Sequence, residues 1–155
     1  MMTLAPADSS RLDLYERMIM ASKLTTNLAQ PTLHPQVEYN IIDAVAKQYG
    51  LKGDSRNLLF AIRNQENGRQ GREFGVLTPE AMRFADDLDP TKSLTIQAMW
   101  AAGTIKKRYK GDLKAFAKRY APTGVKNDPT NLNANWLKGV QSGMDALKEL
   151  QDVEN

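Results

Sequence analysis

The sequence contains no cysteine and only one histidine, His34, in 155 residues. The absence of cysteine excludes disulfide bonds, thiolate metal sites and cysteine nucleophiles. A single histidine cannot form a multi-histidine metal site, and His34 precedes Pro35 at a predicted helix start, where a surface or capping role is expected. Acid–base chemistry would therefore come mainly from Asp, Glu, Lys or Tyr. The sequence predicts no metal site and no cofactor.

Long apolar runs are also missing. No stretch of about 18 apolar residues is present, so no membrane-spanning helix is predicted. The first residues, MMTLAPADSSRLDLYERM, lack a basic start followed by an apolar core, which predicts no secretory signal. We therefore expect a protein that acts where it is made, is released by another route, or belongs to a larger particle.

Charge of one sign is concentrated in one segment, although the formal net charge is only +3. Residues 104–126 contain eight Lys or Arg and one acid, Asp112. Such a patch suits an anionic polymer, either nucleic acid or cell wall, and it is equally compatible with a solvated helix face. Tyr109, Phe116 and Tyr120 interleave with these cations, so phosphate contacts combined with base stacking form one alternative. No recognition-helix motif accompanies them, and nucleic acid is not the favoured partner.

Apolar periodicity and capping signals predict a mainly α-helical fold. Helices are predicted over residues 7–28, 35–49, 54–66, 78–89, 93–109, 113–120 and 136–150. Residues 74–77 are predicted to be extended, as one arm of a small hairpin after the third helix. We interpret residues 1–30 as an N-terminal extension that could carry a docking helix. Residues 31–155 are interpreted as one domain.

The stretch IRNQENGRQGREFGVL, residues 62–77, places Glu66 at the end of an apolar helix and follows it with a glycine-rich loop. Burial beside Phe60, Ile62 and Phe74 would raise the pKa of a carboxyl group at this position. The negative end of the helix dipole acts in the same direction. Glu66 is therefore predicted to be a proton donor, and the loop glycines are expected to let backbone approach a bulky polymer.

Three segments in order resemble the lysozyme superfamily, in particular the bacterial and phage soluble lytic transglycosylases. In AIRNQENGRQGREFGVL, Glu66 falls on the catalytic acid, and FGVL falls on the Gly-Leu-Met-Gln motif with Thr78 in place of its glutamine. AAGTIKKRYKGDLKAFAKRYAP resembles the stretch leading to Ala-Tyr-Asn, with Tyr120 at the tyrosine and Ala121 at the asparagine. YAPTGVKNDPTNLNANWLKGV resembles the tail of related wall hydrolases. The similarity covers about residues 55–141.

The resemblance implies a lysozyme-like helical domain that cleaves the bond between N-acetylmuramic acid and N-acetylglucosamine in peptidoglycan. Glu66 would be the general acid and base. The product would be an anhydro sugar, or a reducing end if a second carboxylate assists. Glu73 is the nearest second carboxylate, although a solvated or salt-bridged side chain is favoured there. The predicted substrate-binding residues are Gly71, Phe74, Gly75, Val76, Gln97, Tyr120, Asn127 and Asp128.

Several of these residues also have a purely structural interpretation. Tyr120 could be a core residue at a helix end, and Asn127 with Asp128 could form a turn before a proline. For Trp100 and Trp136, core packing is favoured over sugar stacking because of their helical spacing with apolar neighbours.

The expected partners are peptidoglycan glycan strands and, through the extension, a virion or secretion assembly. Action on the wall would then follow release through a holin or delivery with a particle. A non-catalytic structural protein of the same fold is the further alternative.

Overall fold

The structure, a computed structural model, describes residues 11–18, 33–121 and 135–154. Six helices lie in these ranges: α1 (residues 11–18), α2 (Pro35–Gln48), α3 (Asp54–Glu66), α4 (Pro90–Arg108), α5 (Leu113–Tyr120) and α6 (Trp136–Glu154). No strand is present in the described ranges, so the mainly α class is confirmed. The predicted hairpin arm at residues 74–77 is not formed, because these residues are an irregular loop. None of the six helices combines the length and hydropathy needed to cross a membrane.

Local signals in the sequence explain where α2 begins and where α3 ends. The Nδ1 atom of His34 accepts a hydrogen bond from the Gln36 amide at 3.1 Å, and Pro35 occupies the first helical position. The predicted capping role of His34 is therefore confirmed. Helix α3 ends at Glu66 because the next residue, Asn67, adopts a left-handed conformation with φ of 45°. Asparagine tolerates this conformation better than other side chains do.

The prediction of a helix over residues 78–89 is wrong. Thr78 does accept the Ala81 amide through its hydroxyl, at 3.4 Å, but the segment continues as successive turns. Two glutamine side chains donate hydrogen bonds to backbone carbonyl groups of this segment. Gln97 donates to Ala81, and Gln70 donates to Phe84 and Asp87. Carbonyl groups satisfied in this way do not need helical partners.

The next helix begins earlier than predicted. Asp89 accepts the Thr91 amide at 3.0 Å, and Pro90 is the first residue of α4. An aspartate followed by proline is a strong helix start, because the carboxylate accepts an amide that has no helical partner and the ring presets φ. Ser93, which was predicted to open this helix, lies inside it with its hydroxyl buried.

Helix α3 lies at the centre of the molecule and packs against α2, α4 and α6. Its five consecutive residues from Leu58 to Ile62 are each at most 1% exposed. A helix that is apolar on all sides is stable only when other elements surround it. The central position of α3 fixes where Glu66, its last residue, leaves the core.

Helix α1 packs on the same core. Tyr15 is 1% exposed, and its ring contacts Phe60 edge-on at a centroid distance of 5.5 Å. The Tyr15 hydroxyl donates to a carboxylate oxygen of Glu38, and Arg11 donates to the Asn57 side chain at 3.1 Å. Residues 11–18 therefore belong to the folded unit, while the docking function predicted for residues 1–30 stays a prediction.

Candidate active site around Glu66

The Glu66 carboxyl group lies between two other parts of the chain. The indole nitrogen of Trp136, in the first turn of α6, donates a hydrogen bond to Glu66 Oε1 at 2.8 Å. On the other side is Gly75, where an added Cβ atom would lie 2.5 Å from Glu66 Oε2. The side chain is neither fully exposed nor fully buried. Because a Cβ atom at position 75 would lie so close to the carboxyl oxygen, any residue larger than glycine there would displace the carboxyl group.

Two opposing effects act on the acidity of this group. Burial raises the pKa of Glu66 above its ordinary value, and the hydrogen bond from Trp136 lowers it by a smaller amount. Burial acts because a low-dielectric environment disfavours the charged form, whereas the indole N–H stabilises the carboxylate. The direction predicted from the sequence is confirmed. A carboxyl group with a raised pKa keeps its proton at higher pH, as a general acid must.

Aromatic rings form one wall beside Glu66. Trp136 is 3% exposed and stacks on Tyr120 at a centroid distance of 5.4 Å, and Tyr120 stacks on Phe116 at the same distance. Trp136 was predicted to be a core residue, and that prediction is confirmed. The sequence did not reveal its hydrogen bond to Glu66, although a buried indole N–H usually requires a partner.

Tyr120 connects this wall to the loop. Its hydroxyl donates to the carbonyl oxygen of Phe74. Burial raises the pKa of Tyr120 well above its ordinary value, and the negative charge of Glu66 raises it further. The tyrosine therefore stays neutral. In this structure its hydroxyl holds the backbone of the loop, and its ring supports Trp136.

Gln97 organises the loop from inside α4 and has no exposed surface. Its amide nitrogen donates to the carbonyl groups of Gly71, Val76 and Ala81 at 2.9, 2.9 and 3.1 Å. Its oxygen accepts the amides of Phe74 and Val76 at 3.0 and 3.4 Å. One buried side chain therefore lies within hydrogen-bond distance of five backbone groups, and the three carbonyl groups share its two N–H hydrogens. Unsatisfied groups of this kind are costly to bury, which explains why the loop keeps one shape without a strand.

Burial also changes the roles expected for Phe74 and Val76. Phe74 has no exposed surface, like Gln97, so both side chains lie beneath the loop. Val76 is partly exposed, but its amide and carbonyl are both bonded to Gln97. These positions argue against direct contact between a substrate and Phe74 or Gln97, and they give the two residues a positioning role.

Glu73 is 5% exposed, so the expectation of a solvated or salt-bridged side chain is wrong. Its Oε1 atom accepts the Gly71 amide at 2.8 Å and the Ser93 hydroxyl at 3.1 Å. Burial raises the pKa of Glu73, and the hydrogen bond from Ser93 is the largest opposing effect. A carboxyl group enclosed in this way supports the loop and is poorly placed to act as a second catalytic carboxylate.

Arg63 fixes the same loop from α3 and was not recognised in the sequence. It is 7% exposed, and its Nη1 atom donates to the carbonyl groups of Gly68 and Glu73 at 3.3 and 3.2 Å. Its Nε atom donates to Glu38 at 2.9 Å, completing a buried ion pair. An arginine inside an otherwise apolar helix is the signal that could have found it, because such residues are rarely buried without partners.

The loop glycines serve internal packing. An added Cβ atom at Gly68 would lie 1.7 Å from the Arg72 carbonyl oxygen, and one at Gly71 would lie 2.5 Å from the Ala85 side chain. Gly71 also has a positive φ of 94°, and its amide and carbonyl are both bonded inside the protein. Gly68 and Gly71 were expected to contact a polymer, but they instead contact other parts of the same chain.

The predicted residues therefore divide into three groups. Glu66, Gly75 and Tyr120 come together with Trp136 around one carboxyl group. The supporting side chains and backbone lie beneath them, namely Gly71, Glu73, Phe74, Val76 and Gln97. Asn127 and Asp128 lie outside the described residues.

Two other expectations are corrected here. Trp100, predicted to be a core residue, is 40% exposed on α4. Phe116, which was expected to interleave with surface cations, is 2% exposed, and Tyr109 packs edge-on against it at 6.0 Å. Base stacking on Phe116 is therefore not available, whereas Tyr109 is partly exposed and the neighbouring Lys and Arg side chains of α5 are exposed.

The described residues contain no group of three or more His, Cys, Asp or Glu side chains that could hold a metal ion. Comparison of the chain with protein-family models, curated proteins and solved structures found no match. The function therefore has to be argued from the residues around Glu66.

Proposed function

We propose that this protein cleaves the glycosidic bond between N-acetylmuramic acid and N-acetylglucosamine in peptidoglycan, with Glu66 as the general acid. The observation that carries the proposal is the carboxyl group at the end of the central helix, half-buried and held by the Trp136 indole, with a pKa raised by burial. The resemblance of residues 55–141 to soluble lytic transglycosylases supports the same activity and a lysozyme-like arrangement of the helices.

In the first step, the protonated carboxyl group of Glu66 donates its proton to the bridging oxygen while the bond from that oxygen to the muramyl C1 atom breaks. The leaving sugar departs as an alcohol, and positive charge develops on the muramyl ring. Glu66 is then ionised. The Trp136 N–H stabilises this carboxylate, since a hydrogen bond to the charged form favours it.

In the second step, the 6-hydroxyl group of the same muramyl residue attacks C1, and its proton returns to Glu66. A 1,6-anhydro ring forms, and the enzyme is restored without a water molecule. The enclosure of Glu73 by Gly71 and Ser93 favours this route, because a hydrolase of the inverting or retaining type uses two catalytic carboxylates.

The decisive experiment compares the wild type with Glu66→Gln on purified peptidoglycan, with mass analysis of the soluble products. Glutamine keeps an oxygen for the Trp136 bond, but its amide protons are not acidic and cannot be transferred to the bridging oxygen, so we expect turnover to fall at least about 100-fold. Glu80→Gln is the matched control, because Glu80 is exposed in the turn segment after the loop. It should leave turnover unchanged.

The chemical form of the product distinguishes closure of the anhydro ring from hydrolysis by water. Anhydromuramyl products support the proposed route, whereas reducing ends only would show hydrolysis. If neither product appears with a folded wild-type protein, glycosidase activity is excluded and a non-catalytic structural role takes its place. The same proposal assigns the protein to the cell wall, reached through a holin or as part of a particle.

A further inference from the structure

Helix α4 has two faces with different surroundings. Its inner face packs against α2 and α3 and contains the buried residues Leu94, Ala98, Ala101 and Ile105. Its outer face also carries large apolar side chains, Ile96, Met99 and Trp100 among them, but these line an open groove of about 800 Å³. A helix that is apolar on both faces is normally buried on both.

The groove is long and follows the helix axis. Its lining extends from Thr91 to Arg108, which corresponds to roughly 25 Å at about 1.5 Å per residue. Its outer residues recur every three or four positions, as a helix-packing surface requires. A helix of about 17 residues would match this length. Phe84 and Tyr49 contribute to the lining beside the helix.

Among the described residues that line the groove, those with charged side chains are all cations. Arg83 and Lys92 lie near the start of α4, and Lys107 with Arg108 lie in its last turn. Lys92 approaches Asp87 at 3.8 Å, whereas no carboxylate among the described residues lies within ion-pair distance of the other three. An occupant with acidic groups at both ends would complement this arrangement.

Nucleic acid fits the groove poorly. Binding of single strands relies on aromatic faces on which successive bases stack. Of the aromatic residues described in the lining, Trp100 is the most exposed, at 40%. The guanidinium group of Arg83 lies over the Phe84 ring at 4.7 Å, and the Tyr49 ring is 3.5 Å from the position that a Cβ atom on Gly103 would occupy. Continuous stacking is therefore unavailable.

A second copy of the chain through this same face is also disfavoured. A symmetric dimer pairs a surface with itself. Antiparallel packing of α4 against α4 would bring Lys107 and Arg108 of one copy towards Lys92 and Arg83 of the other, and like charges repel.

We propose that the α4 groove docks an amphipathic helix of another protein, with an apolar stripe and acidic residues at both ends. Leucine-sized side chains spaced at i, i+3, i+4 and i+7 would contact Ile96, Met99 and Trp100, as in other complexes that place a helix in a groove. Met99 can adapt its shape to such side chains. This inference is independent of the chemistry proposed for Glu66, because that carboxyl group contacts Trp136 and Gly75 and neither residue lines the groove.

The test uses two fluorescein-labelled helical peptides of 17 residues with leucines at the spacing above. One carries glutamate at its two ends and the other carries lysine there, and both carry alanine and glutamine at the remaining positions so that they can form helices. Fluorescence anisotropy with the full chain should show the glutamate peptide binding at least about tenfold more tightly. Its binding should shift the emission of exposed Trp100 to shorter wavelength, while Trp136 is already buried.

Charge reversal provides the matched controls. The double substitution Lys107→Glu and Arg108→Glu should lower the affinity for the glutamate peptide at least about tenfold and raise the affinity for the lysine peptide. Lys114→Glu with Lys118→Glu makes the same change in net charge on exposed positions of α5 outside the groove, and should alter binding less than about twofold. Circular dichroism would establish that both variants are folded.

Four results would overturn the proposal. They are absence of peptide binding, equal affinity for the two peptides, tighter binding of a single-stranded oligonucleotide at the groove, and a homodimer that the Lys107→Glu and Arg108→Glu changes dissociate. The last two would identify nucleic acid or a second copy of the chain as the occupant.

Discussion

Each face of α4 carries some side chains of the kind that is usual on the other face, although the inner face is mainly apolar and the outer face also carries Thr, Lys and Arg. The inner face buries a glutamine and a serine, Gln97 and Ser93, each with no exposed surface, whereas the outer face exposes a tryptophan, Trp100. The inner polar groups are bonded to the loop that carries Glu73 and Gly75. Buried polar groups that are fully satisfied specify one loop shape, while uncovered apolar groups are available to a partner.

The largest effect on this comparison is expected from Gln97→Ala. It removes the hydrogen-bond partner shared by four backbone groups of the loop and the Ala81 carbonyl group, so the free energy of unfolding should fall by about 3 kcal/mol. Urea denaturation measures this loss. Gln141→Ala, at an exposed position on α6, should cost less than about 0.5 kcal/mol. Equal losses in the two variants would show that the inner face does not hold the loop.

Trp136→Phe should cost about 2 kcal/mol, because the ring is buried and its hydrogen bond to Glu66 is lost. Removing the indole N–H takes away the effect that lowers the pKa of Glu66, so that pKa should rise. The alkaline limb of the pH–activity profile should then move to higher pH. A stability loss without this displacement would leave Trp136 as a packing residue only.

Glu66→Gln should stabilise the protein at neutral pH by about 1 kcal/mol while abolishing activity. Because burial raises the folded-state pKa of Glu66, stability is lost as pH rises from the ordinary value of 4.5 through the folded value. Glutamine stays neutral, so the advantage of the variant should disappear below about pH 4. Thermal denaturation at pH 7 and pH 3.5 measures it. A variant that is no more stable at pH 7 would argue that the carboxyl group is well solvated.

The smallest effect is expected from Trp100→Ala on the outer face. The side chain is 40% exposed and less covered than a core residue, so the free energy of unfolding should fall by at most about 1 kcal/mol, and glycosidase activity should be unaffected. Urea denaturation and the peptidoglycan assay measure the two quantities. A loss comparable with that of Gln97→Ala would mean that the outer face is part of the core, and the contrast between the two faces would fail.

Much of the helical framework could be predicted, because its signals are local. The end of α3 follows from the Asn67-Gly68 pair, whereas its start has Gly53 as the N-cap without a side-chain hydrogen bond, so the expected capping by Asp54 or Ser55 is wrong. The start of α2 follows from His34 and Pro35. The segment from Thr78 to residue 89 also has local helix signals, and the prediction failed there because distant glutamine side chains bind its carbonyl groups.

The candidate site was predictable in part. Glu66 at a helix end beside apolar residues correctly indicated a raised pKa. The sequence distinguished Glu66, at the end of an apolar helix, from Glu73 in the following loop, but it did not reveal that Glu73 is buried. Their difference comes from burial: Ser93 and the Gly71 amide enclose Glu73, while Glu66 retains some exposure. The two tryptophans were alike in spacing, and packing alone separates buried Trp136 from exposed Trp100.

By itself, the sequence determined the mainly α class, the helix that ends at Glu66 and the direction in which its pKa moves. These depend on periodicity, capping and charge within a few residues of each other. Only the tertiary structure decided that Trp136, 70 positions away, binds Glu66 and that Gln97, more than 20 positions away, holds the loop. Hydrogen bonds over such separations depend on how helices pack, and residue spacing along the chain does not encode that distance directly.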